Sequence, residues 1–249
     1  MNAQFALWKK EMKDNRNLLI FLTVAVVALD AYVLLRVNPQ LTVASHAILL
    51  LCMVPFFAPL LILPFVLAHS FSSEWKADTH YLMLALPVRS LWIGLLKGLA
   101  VLTMGVLLFL LAAMGGYLAY LKMANVTELG GIHIAAADMW VFGGLIYFPM
   151  LVFLLGIATA MEGIKLALKR WRGLAGIAAV VASFYLYARL MKPVRSLLVF
   201  LGDFRISLEI GGGHIKTSAL PLSWVAYTVL VGLVLTAVGL WLFEKRVEI

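Results

Sequence analysis

Long apolar stretches alternate with short polar ones along most of this chain. Six of these stretches are long enough to cross a bilayer as helices, because a span needs about 20 mainly apolar residues. The predicted spans are residues 18–37, 46–69, 91–121, 139–161, 174–191 and 223–243. The pattern predicts an all-α membrane protein with six transmembrane helices, forming a single transmembrane domain over residues 1–249.

The segment before the first span has the pattern of an amphipathic helix. Phe5, Trp8 and Met12 recur at helical spacing, and the lysines of this segment fall largely off the face that these three residues share. Residues 1–17 are therefore predicted to form an interfacial helix that lies on the membrane surface.

A second amphipathic pattern follows the second span. Residues 72–86 are predicted to form a short helix, with Ser72 or Ser73 as its N-cap and Pro87 ending it. Its contact face is formed, at helical spacing, by Trp75, Thr79, Leu82 and Leu86. At 1.5 Å per residue this helix would cover roughly 20 Å, less than the bilayer core of about 30 Å. It is therefore expected to lie on a membrane surface.

The longest polar connection, residues 192–221, precedes the last span. It contains an apolar piece at 197–201, an alternation of Ile206, Leu208 and Ile210, and a run of glycines at 211–213. We expect an external loop whose apolar piece dips into the bilayer or covers the bundle, and whose glycine run is a flexible turn.

Composition strengthens the membrane interpretation. The chain is 64% hydrophobic and 13% charged, with a mean hydropathy of +1.02, far from the range of soluble domains. Its net charge of +8 lies mostly in short loops beside the spans, which indicates membrane topology rather than binding of nucleic acid. The single cysteine, Cys52, excludes an internal disulfide framework and a cysteine metal cluster.

The distribution of basic residues predicts the orientation. With the N-terminus inside, 13 of the 20 Lys and Arg residues fall in cytoplasmic segments. Both termini are therefore predicted to be cytoplasmic in a multi-pass protein of the cell membrane. Residues 72–86 would then also be cytoplasmic, and residues 192–221 external.

Asp30 is the one acidic residue deep within a predicted span. An ionisable side chain within the bilayer usually indicates a functional site. The role suggested here for Asp30 is that it lines a translocation path. The alternative is a carboxylate that hydrogen-bonds to a neighbouring helix and fixes the packing. Arg36 lies six positions further on, at an angle that does not make it a partner on the same face.

Prolines and small residues modify three other spans. Pro55 and Pro59, together with Pro64, are expected to bend or locally unwind the second span beside the same path. Gly156 and Ala160 have the spacing that lets helix backbones approach closely. The fifth span has a stripe of small residues, consisting of Ala175, Ala179 and Ser183.

The sequence lacks several motifs that would indicate catalysis. It has no GxxxxGK[ST] phosphate loop, no HExxH on a helix and no GxSxG turn. Its five histidines are scattered along the chain and suggest no metal site. We therefore expect no catalytic residue, and no cofactor or metal bound by this chain itself.

The stretch at residues 72–97 resembles the segment between the second and third spans of type-2 ATP-binding-cassette (ABC) exporter permeases. The resemblance is carried by Glu74, Thr79, a leucine-rich helix with Leu82, the pair Leu86-Pro87, Arg89 and Lys97. The layout of the whole chain is also similar to that of the small, six-span branch that exports peptides. The chain would then be a non-catalytic transport subunit that exports an amphipathic, antimicrobial or toxin-like peptide.

The resemblance also implies partners and roles. Two copies of a separate ATPase subunit would bind ATP and magnesium, and a second permease copy or a related permease would complete the dimer in the bilayer. Residues 72–86 would be the coupling helix, whose face formed by Trp75, Thr79, Leu82 and Leu86 inserts into the ATPase. Glu74, Arg89 and Lys97 would fix the ends of this helix.

Other functions remain open at this stage. Within the ABC exporters, the substrate is either a peptide or a lipid-linked or ionic compound. An intramembrane enzyme would need a cluster of acids, histidines or nucleophiles within the spans, of which Asp30 alone is present. A secondary transporter would need inverted repeats and more ion-coupling residues near the middle of the membrane.

Overall fold

The computed structural model describes residues 3–36, 42–76, 90–124, 136–168, 171–210 and 214–247. These residues form seven α-helices, a 3₁₀ turn and one two-stranded sheet. The helices are α1 (Ala3–Asp14), α2 (Arg16–Arg36), α3 (Thr42–Lys76), α4 (Ser90–Ala124), α5 (Ala136–Ala167), α6 (Arg172–Leu197) and α7 (Leu222–Val247). Between α6 and α7 lie the 3₁₀ turn Val199–Leu201 and the strands β1 (Asp203–Ile210) and β2 (His214–Pro221).

Six helices of the described chain are long and apolar enough to cross a membrane. Their apolar segments are Arg16–Arg36, Met53–Ser73, Leu91–Ala119, Trp140–Ala167, Arg172–Leu197 and Leu222–Lys245. Large apolar side chains such as Phe21 and Phe65 are exposed on the outside of the bundle, where a bilayer would cover them. The prediction of a multi-pass membrane protein with six spans is confirmed.

The helices are longer than the apolar stretches that predicted them. For example, α3 covers Thr42–Lys76 where 46–69 was predicted, and α6 continues to Leu197 where the predicted span ended at 191. Apolar runs mark only the part of a helix that lies in hydrocarbon, and helical hydrogen bonding continues through the polar residues on either side. Helix α3 contains Pro55, Pro59 and Pro64 and is helical throughout, so the expected local unwinding is not seen.

The connection before the last helix contains a β-hairpin, so the prediction of an all-α chain needs correction here. Strand β1 pairs with β2 in antiparallel register from Asp203 opposite Pro221 to Ile210 opposite His214. Ile206, Leu208 and Ile210, which alternate with other residues in the sequence, thus belong to strand β1. Residues 211–213, the predicted flexible turn, lie outside the described residues.

The main core lies among α3, α4 and α5. Leu63, Leu67, Met104 and Leu151 are completely buried there. An aromatic cluster extends this core, with the Phe109 ring 4.9 Å from the rings of both Tyr147 and Phe148 and 5.8 Å from that of Phe56. The Tyr147 hydroxyl donates a hydrogen bond of 3.2 Å to the carbonyl oxygen of Gly105, so α4 and α5 also share a buried polar contact.

Both ends of the described chain lie at the same end of the bundle. Leu7 of α1 packs with Ile93 and Leu96 near the start of α4. Phe243 of α7 contacts Phe71 near the end of α3, with 5.7 Å between the ring centroids. This end of the bundle, defined by α1, the end of α3, the start of α4 and the end of α7, is named the α1 end.

Helices α5 and α7 approach each other closely at two pairs of glycines. A Cβ atom at Gly163 would lie 2.5 Å from the carbonyl oxygen of Gly239, and one at Gly156 would overlap the carbonyl oxygen of Gly232. Ala160, between these two glycines, is 2% exposed. The predicted close packing at Gly156 and Ala160 is therefore confirmed, and α7 is the helix that packs there.

Helix α6 buries the stripe of small residues that the sequence predicted. Ala175, Ala179 and Ser183 are buried, and the Ser183 hydroxyl donates a hydrogen bond of 2.8 Å to the carbonyl oxygen of Ala179. Further along, the hydroxyls of Tyr187 and Thr228 lie 2.9 Å apart, which joins α6 to α7. The opposite side of α6 exposes large apolar side chains, as expected of a helix at the periphery of a bundle.

Candidate functional site at the ends of three helices

A buried ion pair joins three helices at the α1 end. The Lys97 ammonium of α4 donates a hydrogen bond of 2.9 Å to Glu11 Oε1 of α1 and one of 3.0 Å to Ser70 Oγ of α3. The Ser70 hydroxyl donates a hydrogen bond of 3.2 Å to Glu11 Oε2. Each of these three side chains thus contacts the other two, and each comes from a different helix.

The charged groups of this network are removed from solvent. The side chains of Lys97 and Glu11 are 2% and 3% exposed. Lys10, whose side chain is 49% exposed, places its Nζ 3.7 Å from Glu11 Oε1 and 3.6 Å from Asp14 Oδ2 at the surface. A buried charge is costly unless it is paired and hydrogen-bonded, so Lys97 and Glu11 depend on each other.

Helical spacing explains how the sequence positions this pair. Leu7 and Glu11 are one turn apart on α1, and Ile93 and Lys97 are one turn apart on α4. Leu7 and Ile93 pack together in one layer, and the next turn of each helix carries the two charges. The apolar contact therefore brings α1 against α4, and the charges meet beside it.

The face of α1 that is buried in the bundle differs from the predicted apolar face of Phe5, Trp8 and Met12. Phe5 is 52% exposed, whereas Leu7 and Glu11 are 6% and 2% exposed. The Phe5 ring instead lies beside Trp8, with 5.7 Å between the centroids. Hydrophobic periodicity missed the buried face because it counts a glutamate as polar, and the lysine that makes its burial possible lies 86 residues further on.

The structure describes part of the predicted coupling region. Glu74 and Trp75 lie in α3, and Glu74 follows Ser70 by one helical turn. The remaining predicted contact residues lie outside the described residues: Thr79, Leu82, Leu86, Pro87 and Arg89. Of the eight predicted coupling residues, Lys97 is the one whose side chain the structure describes, and it lies in the buried network.

No helix begins at Ser72 or Ser73. Helix α3 continues through both residues to Lys76. The Ser72 hydroxyl donates a hydrogen bond of 3.2 Å to the carbonyl oxygen of His69, and the Ser73 hydroxyl donates one of 3.2 Å to that of Ser70. These hydroxyls thus bind carbonyls of the preceding turn inside a continuous helix, and the predicted N-cap is wrong.

The predicted path residues lie in two different surroundings. Asp30 is half-buried on α2 and lies against Gly115 of α4. Pro55 and Pro59 are buried between helices on α3. Sequence reasoning had no signal for Gly115, which is one of several glycines in an apolar span.

The described part of the chain contains no group of three or more His, Cys, Asp and Glu side chains that could hold a metal ion. What the fold and this site define is a polytopic membrane protein with six membrane-spanning helices and a buried ion-pair network at the α1 end. Comparisons with protein-family models, curated proteins and solved structures found no match to this chain.

Proposed function

We propose that this chain is the membrane-spanning subunit of an ATP-driven ABC exporter that moves an amphipathic peptide out of the cell. The observation that carries the proposal is the position of Lys97. This residue belongs to the stretch that resembles a coupling segment, and it is buried in an ion pair at the junction of the two helices that flank that segment. Six spans and two chain ends at the α1 end also support the proposal.

In the proposed exporter, the network of Glu11, Ser70 and Lys97 would transmit force from the ATPase to the helices. Residues 77–89 connect the end of α3 to the start of α4, and a partner ATPase would push or pull on them. Because Ser70 and Lys97 bind the same glutamate of α1, α3 and α4 would move with α1 as one unit at this end. Closure of two ATPase subunits would thus tilt these helices together rather than bend the connection alone.

The partners follow from the same proposal. Two ATPase subunits would bind ATP and magnesium at the cytoplasmic side, where the α1 end would lie. A second copy of this permease, or a related permease, would face the first across the substrate path. Peptide, lipid-linked and ionic substrates are distinguished by measuring which of them stimulates ATP hydrolysis by the complex in liposomes.

Charged substitutions in the proposed contact face are expected to separate the two subunits. Trp75→Glu and Leu82→Glu place a carboxylate where an apolar contact with the ATPase is proposed, and burying it without a partner is unfavourable. We expect the amount of ATPase that copurifies with the permease to fall at least about tenfold. The measurement is quantitative affinity purification from cells that express this chain together with the genes that neighbour its own.

A matched control separates a specific contact from general damage. Leu168 is 49% exposed at the end of α5, also at the α1 end, so Leu168→Glu introduces the same charge on a different connection. This variant should retain the ATPase. If the native chain recovers no ATPase, or if the Trp75 and Leu82 variants recover as much as the native chain, the proposed function is wrong.

A further inference from the structure

A carboxylate lies between two spans where the structure makes room for it. Asp30 of α2 packs directly against Gly115 of α4, and a Cβ atom at position 115 would overlap the Asp30 carboxyl group. Any other residue at 115 would therefore displace the carboxylate. The neighbouring Gly116 differs, because the nearest atom to a Cβ there would be Phe56 Cε2 at 3.8 Å, an ordinary contact.

Asp30 has no hydrogen-bond or ion-pair partner among the described residues. The two cations nearest to it along α2 and α4 make other contacts. The Arg36 guanidinium lies over the Tyr32 ring, 5.8 Å from the centroid, and the Lys122 ammonium donates a hydrogen bond to the carbonyl oxygen of Leu34. The carboxylate therefore lacks the compensation that a charge within a span needs.

An apolar groove runs along the same pair of helices. It has a volume of about 330 Å³ and is lined by Leu19, Thr23, Leu107, Leu110, Leu111 and Met114. The groove is open along one side, so its occupant would enter from the bilayer. Its size lies at the lower end of the range for ligand sites, which suits a single alkyl chain better than a folded peptide segment.

Helical geometry places Asp30 at one end of this groove. Asp30 follows Thr23 by seven residues, which is two turns, so the two side chains lie on the same side of α2 and roughly 10 Å apart along its axis. On α4, Gly115 is next to Met114, the last residue that lines the groove. The site thus has an apolar body and an anionic end that faces no cation of the described chain.

We propose that this groove binds a single-chain cationic amphiphile, with its ammonium head on the Asp30 carboxylate and its alkyl chain along Leu111 and Thr23. The ammonium supplies the missing charge and hydrogen bonds, and the chain covers the apolar walls. Gly115 contributes by leaving space for the carboxylate. This site does not require the ATPase, so its test is independent of the proposed export function.

The test is photolabelling of the purified protein in phosphatidylcholine nanodiscs with a dodecylammonium that has a diazirine within its chain. Labelled peptides are identified by mass spectrometry. We expect the probe to label the groove residues of α2 and α4. Excess unlabelled dodecylammonium should prevent this labelling, whereas excess dodecanol or dodecyl sulfate should not. Labelling of the exposed face of α6, where Ile177 and Val181 lie, measures non-specific entry from the bilayer.

Three variants assign the contacts. Asp30→Asn removes the charge at constant size, and Gly115→Ala displaces the carboxylate; each should lower competed groove labelling about tenfold or more, with α6 labelling unchanged. Gly116→Ala, the matched control, should retain it. Thermal unfolding of each variant verifies that the protein remains folded.

Two results would overturn the proposal. One is groove labelling in the folded Asp30→Asn variant equal to that of the native chain, since Asp30 would then only affect packing. The other is competition by a lysine-containing amphipathic peptide together with no competition by dodecylammonium. That result would assign the groove to a peptide instead.

Discussion

Lys97→Met is expected to destabilise the folded protein by about 3–5 kcal/mol, because it removes the buried cation of the Glu11 carboxylate and leaves only the exposed Lys10 beside it. The methionine keeps most of the volume of the lysine stem, so the loss of packing is small and the loss of the charge dominates. The measurement is the free energy of unfolding, obtained by denaturant titration in a mild detergent. Glu11→Gln should also destabilise the protein, since it leaves the Lys97 ammonium buried with a neutral partner.

Two further variants make this prediction specific to the buried pair. The double variant Lys97→Met with Glu11→Leu removes both charges and should regain most of the lost stability, as buried ion pairs replaced by apolar residues often do. Lys10→Met removes the exposed lysine beside the same carboxylate and should cost only about 0–1 kcal/mol. If Lys97→Met costs no more than Lys10→Met, the pair is not buried in the folded protein.

The double variant also separates stability from the proposed coupling. It would be folded, with α1 packed on α4 through Leu7 and Ile93, but without the hydrogen bonds that join α1, α3 and α4. If the network transmits force, substrate-stimulated ATP hydrolysis should fall in this variant although the ATPase still binds. Unchanged stimulation would mean that the network is only structural.

The six spans were predictable because the bilayer imposes a strong requirement on sequence. Only a helix satisfies all its backbone groups in hydrocarbon, and it needs about 20 apolar residues to do so. The hairpin was not predicted, since its signal is a short alternation beside a glycine run and its stability depends on pairing between β1 and β2. Helix ends were also misplaced, because α3 continues as a helix through the polar residues up to Lys76.

The candidate site was predictable only in part. Lys97 was found because it belongs to the stretch that resembles the coupling segment of ABC exporter permeases. Nothing in the local sequence links it to Glu11, which is distant along the chain and lies in a segment that was predicted to be a surface helix. Asp30 was found because an acid is rare in an apolar span. Its neighbour Gly115 was not found, since the importance of a glycine in a span depends on which atoms of the opposite helix lie against it.

Alanine at Gly156 or Gly163 is expected to destabilise the protein, whereas alanine at Gly143 of the same helix is expected to stabilise it. At Gly163 the new methyl group would lie 2.5 Å from the carbonyl oxygen of Gly239, and at Gly156 it would overlap the carbonyl oxygen of Gly232. Backbone atoms cannot rotate away as side chains do, so α5 and α7 must separate. Overpacking of this kind costs about 1–3 kcal/mol, and valine at the same positions should cost more.

Gly143→Ala is the control, and it is expected to change the free energy of unfolding in the opposite direction. A Cβ atom there would meet nothing within 4 Å, and alanine is better than glycine inside a helix by roughly 0.5–1 kcal/mol. The free energy of unfolding of the three alanine variants, measured in one detergent, gives the comparison.

The two sensitive glycines of α5 are seven residues, or two turns, apart, as are Gly232 and Gly239 on α7. The two helices therefore run parallel in close contact, and equal effects at all three positions would contradict this packing.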